Sequence, residues 1–193
     1  TAGVGLVPAG VRVLPELVRP GDAILLSGDL GCHGIAVLSV REGVAFAGNV
    51  ESDSAPLHQV VGELVDSGIE IHCLRDLTRG GLASALNEIA VAAKVGMVID
   101  ESVIPVLETV RGACELMGLD PLYVANEGRF VAMVPESYVE TALTIMRRHS
   151  VAHQAARIGR VTAENPPLVV LQTLLGTHRI LDLLSGEQLP RIC

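Results

Sequence analysis

The chain has 193 residues, of which 49% are apolar, and a formal net charge of −8 at neutral pH from 22 acidic and 14 basic side chains. That length supports one good core, or a domain with a small appendage. The negative balance repels phosphate backbones, and two Phe, two Tyr and no Trp leave no stacking platform for bases, so nucleic acid is excluded as an expected partner. No apolar run approaches the ~20 residues of a membrane span and no charged-then-apolar leader opens the sequence, so no membrane partner is expected. The sequence starts at Thr1 without a methionine and reads as an excised domain of something longer.

Pro8, Pro15 and Pro20, among small apolar residues, mark 1–20 as an extended lead-in that belongs against something else. Order is expected from Gly21. Residues 23–27 form a short apolar run between Gly-Asp and Ser-Gly, the pattern of a buried strand. A glycine-rich loop, 28–34, then precedes an apolar stretch at 35–40 that reads as helical. Such a junction turns backbone N–H groups toward an anion at the positive end of a helix dipole, or it is only a tight connection. Ser54 and Pro56 open a helix with Leu57, Val60, Val61, Leu64 and Val65 on one face, stopped by Gly68. Residues 69–74 alternate like a strand.

This strand delivers the chain into Arg75, Asp76, Leu77, Thr78, Arg79, Gly80 and Gly81, followed by a helix over 82–94 whose stripe is Leu82, Leu86, Ile89, Ala90 and Ala93. An Asp or Thr here serves as an N-cap, which accounts for half of the motif. It does not account for Arg79 and the paired glycines, which lower helix propensity. A strand at 96–100 and a helix led by Pro105, through Leu107, Val110, Cys114 and Met117 to Gly118, come next. Asp120 and Pro121 turn the chain, and 122–125 feed Asn126, Glu127 and Gly128 before a strand at 129–134. Glu127 sits between two apolar runs, where a carboxylate is costly. It is either a turn acid at the strand's start or a half-buried group whose raised pKa suits a general base.

Pro135 opens a helix over 136–148 with Val139, Leu143 and Met146 inward. Strands are expected at 156–161, 168–172 and 178–183, the last two as an antiparallel hairpin around Gly176. The pattern predicts α+β: one domain over 21–184, a mixed sheet covered by helices, with a mobile tail over 185–193. Cys32, Cys73, Cys114 and Cys193 lie far apart with no CxxC, which argues against zinc and suits a reducing cytoplasm. His72 and Cys73 are adjacent, but on a strand they point to opposite faces. No residue can be assigned to a metal. Lys94, the only lysine, falls deep in a predicted helix.

The chain ends in Pro190, Arg191, Ile192 and Cys193. A thiol on a fraying terminus can be carried into a pocket instead of being packed. Thiolate is the reactive form, and an ordinary cysteine titrates near ~8.5. The adjoining C-terminal carboxylate raises that value and Arg191 partly offsets it, so a partner's site would have to activate Cys193. The alternative is an unstructured leftover. Prenylation is excluded, because it needs the cysteine four from the end.

The combination of 27–34, "RDLTRGG" at 75–81, "RGACELMGLDPLYVANEG" at 111–128 and the terminal "LPRIC" resembles the C-terminal part of the HypE family of hydrogenase expression/formation proteins, over essentially the whole chain. That family is similar to the aminoimidazole ribonucleotide synthetase (PurM) superfamily. The resemblance implies a PurM-type C-terminal domain following an N-terminal domain that carries most ATP and Mg contacts and the homodimer interface. It implies ATP-dependent dehydration of a carboxamide on Cys193 to a thiocyanate. A HypF-type carbamoyltransferase loads the group, and the cyanide passes to iron on a HypC and HypD scaffold during [NiFe] hydrogenase maturation. On this resemblance Cys193 is the carrier and Glu127 the base that strips protons from the amide, with Asn126 orienting it. Arg79, Gly80 and Gly81 face phosphate charge, Asp76 and Thr78 hold their loop or a metal-bound water, and His33 and Gly34 line the same mouth. With Lys94 in a helix and the N-terminal half absent, the chain alone is expected to bind ATP weakly and not to turn over. Two other readings remain: a PurM-like ATP-dependent synthase for a small amide or selenide, which needs no Cys193, and a non-catalytic domain whose tail docks maturation partners.

Overall fold

The computed structural model of the chain describes residues 4–43 and 50–183, and Cys193 with the rest of the tail lies outside them. In chain order the elements are β1 (Asp22–Leu26), α1 (Cys32–Glu42), α2 (His58–Asp66), β2 (Cys73–Asp76), α3 (Gly81–Ala93), β3 (Gly96–Asp100) and α4 (Glu108–Met117). They are followed by β4 (Phe130–Pro135), α5 (Val139–Arg147), β5 (Ala156–Thr162), β6 (Val169–Gln172) and β7 (His178–Ile180). The strands form one sheet in the order β2-β4-β1-β5-β3-β6-β7. It is mixed: β3 and β6 pair in parallel and the other neighbours are antiparallel. The α+β architecture and the β6–β7 hairpin are as the pattern predicts.

Period-two alternation divides the central strands between two cores. Ile24 and Leu26 of β1, with Val131 and Met133 of β4, face α3, where Leu82, Leu86, Ile89 and Ala90 make the buried stripe. Ala23, Leu25, Ala132 and Val134 face the other way, against Val60 and Leu64 of α2 and Val139, Leu143 and Met146 of α5. A smaller third cluster joins Ile35 and Leu38 of α1 to Val110 and Cys114 of α4 and to Val124. No Trp is needed: branched aliphatics and alanines fill the space at the sheet.

Several expected boundaries move. The strand expected over 69–74 is β2, Cys73–Asp76, because its ladder with β4 continues to the pair Asp76↔Phe130 and carries the "RD" of the loop motif into the sheet. His72 lies just before β2 and is buried, with Nδ1 2.7 Å from Asp22 Oδ2 and Nε2 2.9 Å from Glu70 Oε1. The packed region begins before Gly21. Val18 is only 4% exposed within the core, and the Leu14 N–H donates to the His72 carbonyl at 2.9 Å, whereas residues 4–10 are exposed. Pro135 ends β4 and caps a 3-10 turn, Glu136–Tyr138, before α5 begins. Lys94 is not inside a helix but is the exposed C-cap of α3, at φ 57°.

Candidate functional site

The sheet topology gathers three loops at one end. β1 and β2 both run antiparallel to β4, with Leu26 opposite Val131 and Asp76 opposite Phe130, so the ends of β1 and β2 meet the start of β4. From there β1 leads through 27–31 into α1, β2 leads through 77–80 into α3, and 124–129 enters β4. Ser27 fastens the first junction: its Oγ accepts the Phe130 N–H at 2.9 Å.

Asn126 locks the three loops together. It is fully buried; its Oδ1 accepts the Gly31 N–H at 2.7 Å, and its Nδ2 donates to the carbonyls of Leu77 at 3.2 Å and Val124 at 2.9 Å. Both amide hydrogens and one lone pair of Oδ1 are therefore committed to the backbone, and the side chain expected to orient the substrate amide is fully buried. The glycines have similar explanations. Gly34 donates its N–H to the Ala125 carbonyl at 3.1 Å, and a Cβ there would sit 2.3 Å from Val124 Cγ1. Gly81 has φ 59°, its N–H bonds the Thr78 carbonyl at 3.1 Å, and a Cβ would meet the Val124 carbonyl oxygen at 2.6 Å. Close backbone approach accounts for Gly81, and the left-handed φ of 72° for Gly80, the pair that capping left unexplained.

Asp76 and Thr78 are tied to each other, with Thr78 Oγ1 donating to Asp76 Oδ1 at 3.0 Å, and Arg75 Nη1 donates to the same oxygen at 2.8 Å. Gly80 is the left-handed N-cap of α3, and Arg79 beside it is exposed. Lys94 stands at the far end of that helix, about 20 Å away for 13 residues of helical rise. Among the described residues no group of three His, Cys, Asp or Glu side chains can hold a metal, and the committed N–H groups of Gly34 and Gly81 do not fit a phosphate cradle.

The remaining expected residues, His33 and Glu127, converge with one that the sequence did not single out. Asp53, 9% exposed, accepts the Glu127 N–H through Oδ1 at 2.8 Å. Its neighbour Ser52 places Oγ 2.8 Å from His33 Nδ1. Gly128 makes the approach possible, since a Cβ there would lie 1.9 Å from the Asp53 carbonyl oxygen. Burial pushes the Asp53 carboxyl above its ordinary range, against the Glu127 N–H and the charges of Arg129 and His33. Behind it Arg129 binds Asp29, Nη2 to Oδ1 at 2.6 Å, and Cys32 Sγ donates to Asp29 Oδ2 at 2.9 Å. Burial alone would raise Asp29, but the Cys32 hydrogen bond and the Arg129 charge outweigh it and hold the carboxyl below the usual range. Cys73 and Cys114 are free and buried, and burial pushes their thiols up to about 11; burial and Asp29 raise Cys32 further still. At neutral pH these three stay protonated and unreactive.

Neither Asp53 nor the Asp29–Arg129 pair carries a periodic or spaced signal. Each is defined by partners that lie tens of residues away in the chain, and only a second charge facing Asp53 across the fold marks it.

Residues 19–171 match the family model of AIR synthase related protein, C-terminal domain. The chain is 51% identical over 193 residues to carbamoyl dehydratase HypE of Azotobacter vinelandii, covering all of this chain and 57% of that protein. A crystal structure of hydrogenase maturation protein HypE in complex with ATP superposes with a TM-score of 0.89 at 48% identity, over 94% of this chain and 55% of that one. A crystal structure of a HypE–HypF complex matches with a TM-score of 0.86 at 44% identity, over 90% of this chain and 56% of its counterpart. The chain thus spans little more than half the length of the proteins it matches. The family match over residues 19–171 and likeness along the whole sequence lead to one conclusion: the chain belongs to the AIR synthase related proteins, as their C-terminal domain, and is similar from end to end to HypE.

Proposed function

We propose that this chain supplies the base and the carrier cysteine of an ATP-dependent carbamoyl dehydratase. A HypF-type partner loads a carboxamide onto Cys193. ATP phosphorylates the amide oxygen, Glu127 removes protons from the nitrogen, and a thiocyanate results whose cyanide is destined for the iron held on HypC and HypD. The observation that carries this reading is Glu127 itself: its Oε1 is buried with no partner among the described residues, on the loop that Asn126 and Gly128 fasten between β1, β2 and β4. A carboxylate whose backbone is fixed and whose Oε1 is left unpaired is placed to accept a proton from a bound amide. The buried, protonated state of Cys32, Cys73 and Cys114 leaves Cys193 as the thiol for the chemistry.

ATP, Mg and the homodimer interface are assigned mainly to the remainder of the full-length protein, with Arg79 reaching phosphate charge from this side and Asp76 and Thr78 holding its loop. The HypE–ATP and HypE–HypF complexes support ATP and a HypF-type partner for the full-length protein. No described helix is long and apolar enough to cross a membrane, in keeping with work in the cytoplasm.

Mass spectrometry of the full-length protein tests the reading. Incubation with the carbamoylating partner should add one carbamoyl group at Cys193, and ATP should then remove one water. Glu127→Gln should stall at the carbamoyl adduct; normal dehydration by that variant rejects Glu127 as the base.

A further inference from the structure

Among the described residues, three side-chain polar atoms are buried without a protein partner: His33 Nε2, Asp53 Oδ2 and Glu127 Oε1. Leaving such an atom unpaired is costly, so folds keep few of them. Here all three fall in one cluster. His33 Nδ1 contacts Ser52 Oγ at 2.8 Å, Asp53 follows Ser52 in the chain, and Asp53 Oδ1 holds the Glu127 N–H at 2.8 Å.

The chemistry of the proposed reaction asks for such a cluster, and the inference rests on that reading. Converting a carboxamide to a nitrile removes both N–H protons in two halves. First the amide oxygen attacks the γ-phosphorus of ATP, ADP leaves with the electrons of the broken P–O bond, and one N–H proton passes to Glu127 as the C=N bond forms. Then the C–O bond breaks, phosphate leaves with its electron pair, and the second N–H proton departs as the triple bond forms. Glu127 can hold only one proton at a time.

We propose that His33, backed by Asp53, unloads Glu127 between the two halves. Glu127 passes its first proton to the lone pair of His33 Nε2 and returns to the carboxylate. His33 Nδ1–H donates to Ser52 Oγ, and the Asp53 carboxylate faces the imidazolium so formed. The charges that Asp53 senses are His33, Arg129 and Asp29. Arg129 is already bound to Asp29, which leaves the Asp53 carboxylate to face His33. Both residues act through Glu127 and are positioning residues.

A single-turnover experiment on the full-length carbamoylated protein separates the halves by measuring ADP and the mass of the Cys193 adduct in the same quenched samples. His33→Asn keeps a partner for Ser52 and removes Nε2. It should form ADP within about threefold of the wild-type rate while loss of water slows about 100-fold, in the range of general acid–base effects, so that a phosphorylated adduct accumulates. The slowed step should speed up as pH rises and solvent takes over as the acceptor. Asp53→Asn keeps Oδ1 for the Glu127 N–H, should show the same split at about tenfold, and carries the test if His33→Asn does not fold. If ADP formation and loss of water slow together, or if neither slows, the relay is wrong. A wild-type protein that loses no water with ATP sinks the dehydratase reading itself, and this inference with it.

Discussion

Replacing Asn126 by alanine removes the acceptor of the Gly31 N–H and the donor that serves the Leu77 and Val124 carbonyls. Leu77 retains a partner in the Asn126 backbone N–H at 3.0 Å, so the substitution orphans one buried donor and one buried acceptor and leaves a small void. At about 1–3 kcal/mol for each orphaned group the expected loss is about 3–5 kcal/mol. For a domain of this size that lowers the midpoint of thermal unfolding by on the order of 10 °C. Urea unfolding is the direct assay, with the midpoint falling and the slope unchanged. Asn126→Asp sharpens the test. Oδ1 still accepts the Gly31 N–H, but the second oxygen then faces two carbonyls, which raises the folded-state pKa above the unfolded value of roughly 3.9. A raised value means that the relative stability of the variant is greatest below the unfolded pKa and is lost as pH climbs through the folded one. A loss under about 1 kcal/mol for Asn126→Ala, or an Asn126→Asp protein as stable as wild type at neutral pH, would refute the clamp.

Three other outcomes are expected. Gly128→Ala brings a Cβ to 1.9 Å from the Asp53 carbonyl oxygen, so the loops must part: denaturant titration should show a loss of about 3 kcal/mol or more, with dehydration failing even where the protein remains folded. Asp29→Asn removes a carboxylate whose pKa is lowered. Its stability deficit should be full above the unfolded value of about 3.9 and shrink as pH falls through the lower folded one, and a deficit that grows in acid contradicts the Asp29–Arg129 assignment. Calorimetry of ATP against this chain alone should detect weak binding or none, because Gly34 and Gly81 spend their N–H groups on carbonyls and Lys94 caps the far end of α3; a micromolar affinity would overturn that division of labour.

The sequence by itself determined the elements, because their signals are local. The stripe Leu82, Leu86, Ile89 and Ala90 lies within one helix, Gly118 terminates α4 in the left-handed conformation, and a continuous apolar run marks β4. It also placed Glu127, a charge stranded between apolar runs, and Cys193 at the last position. The extent of β2 was not local: β4 decides it through the pairing of Asp76 with Phe130. Nor was the reason for Gly81, which depends on carbonyls more than 40 residues later in the chain, at Leu122 and Val124. The tertiary structure alone decided that Asn126 is a clamp and that Asp53 stands behind Glu127 at a separation of 74 residues. Periodicity reports which side of an element is buried, whereas a polar group's role depends on which distant donors and acceptors folding brings within about 3 Å of it.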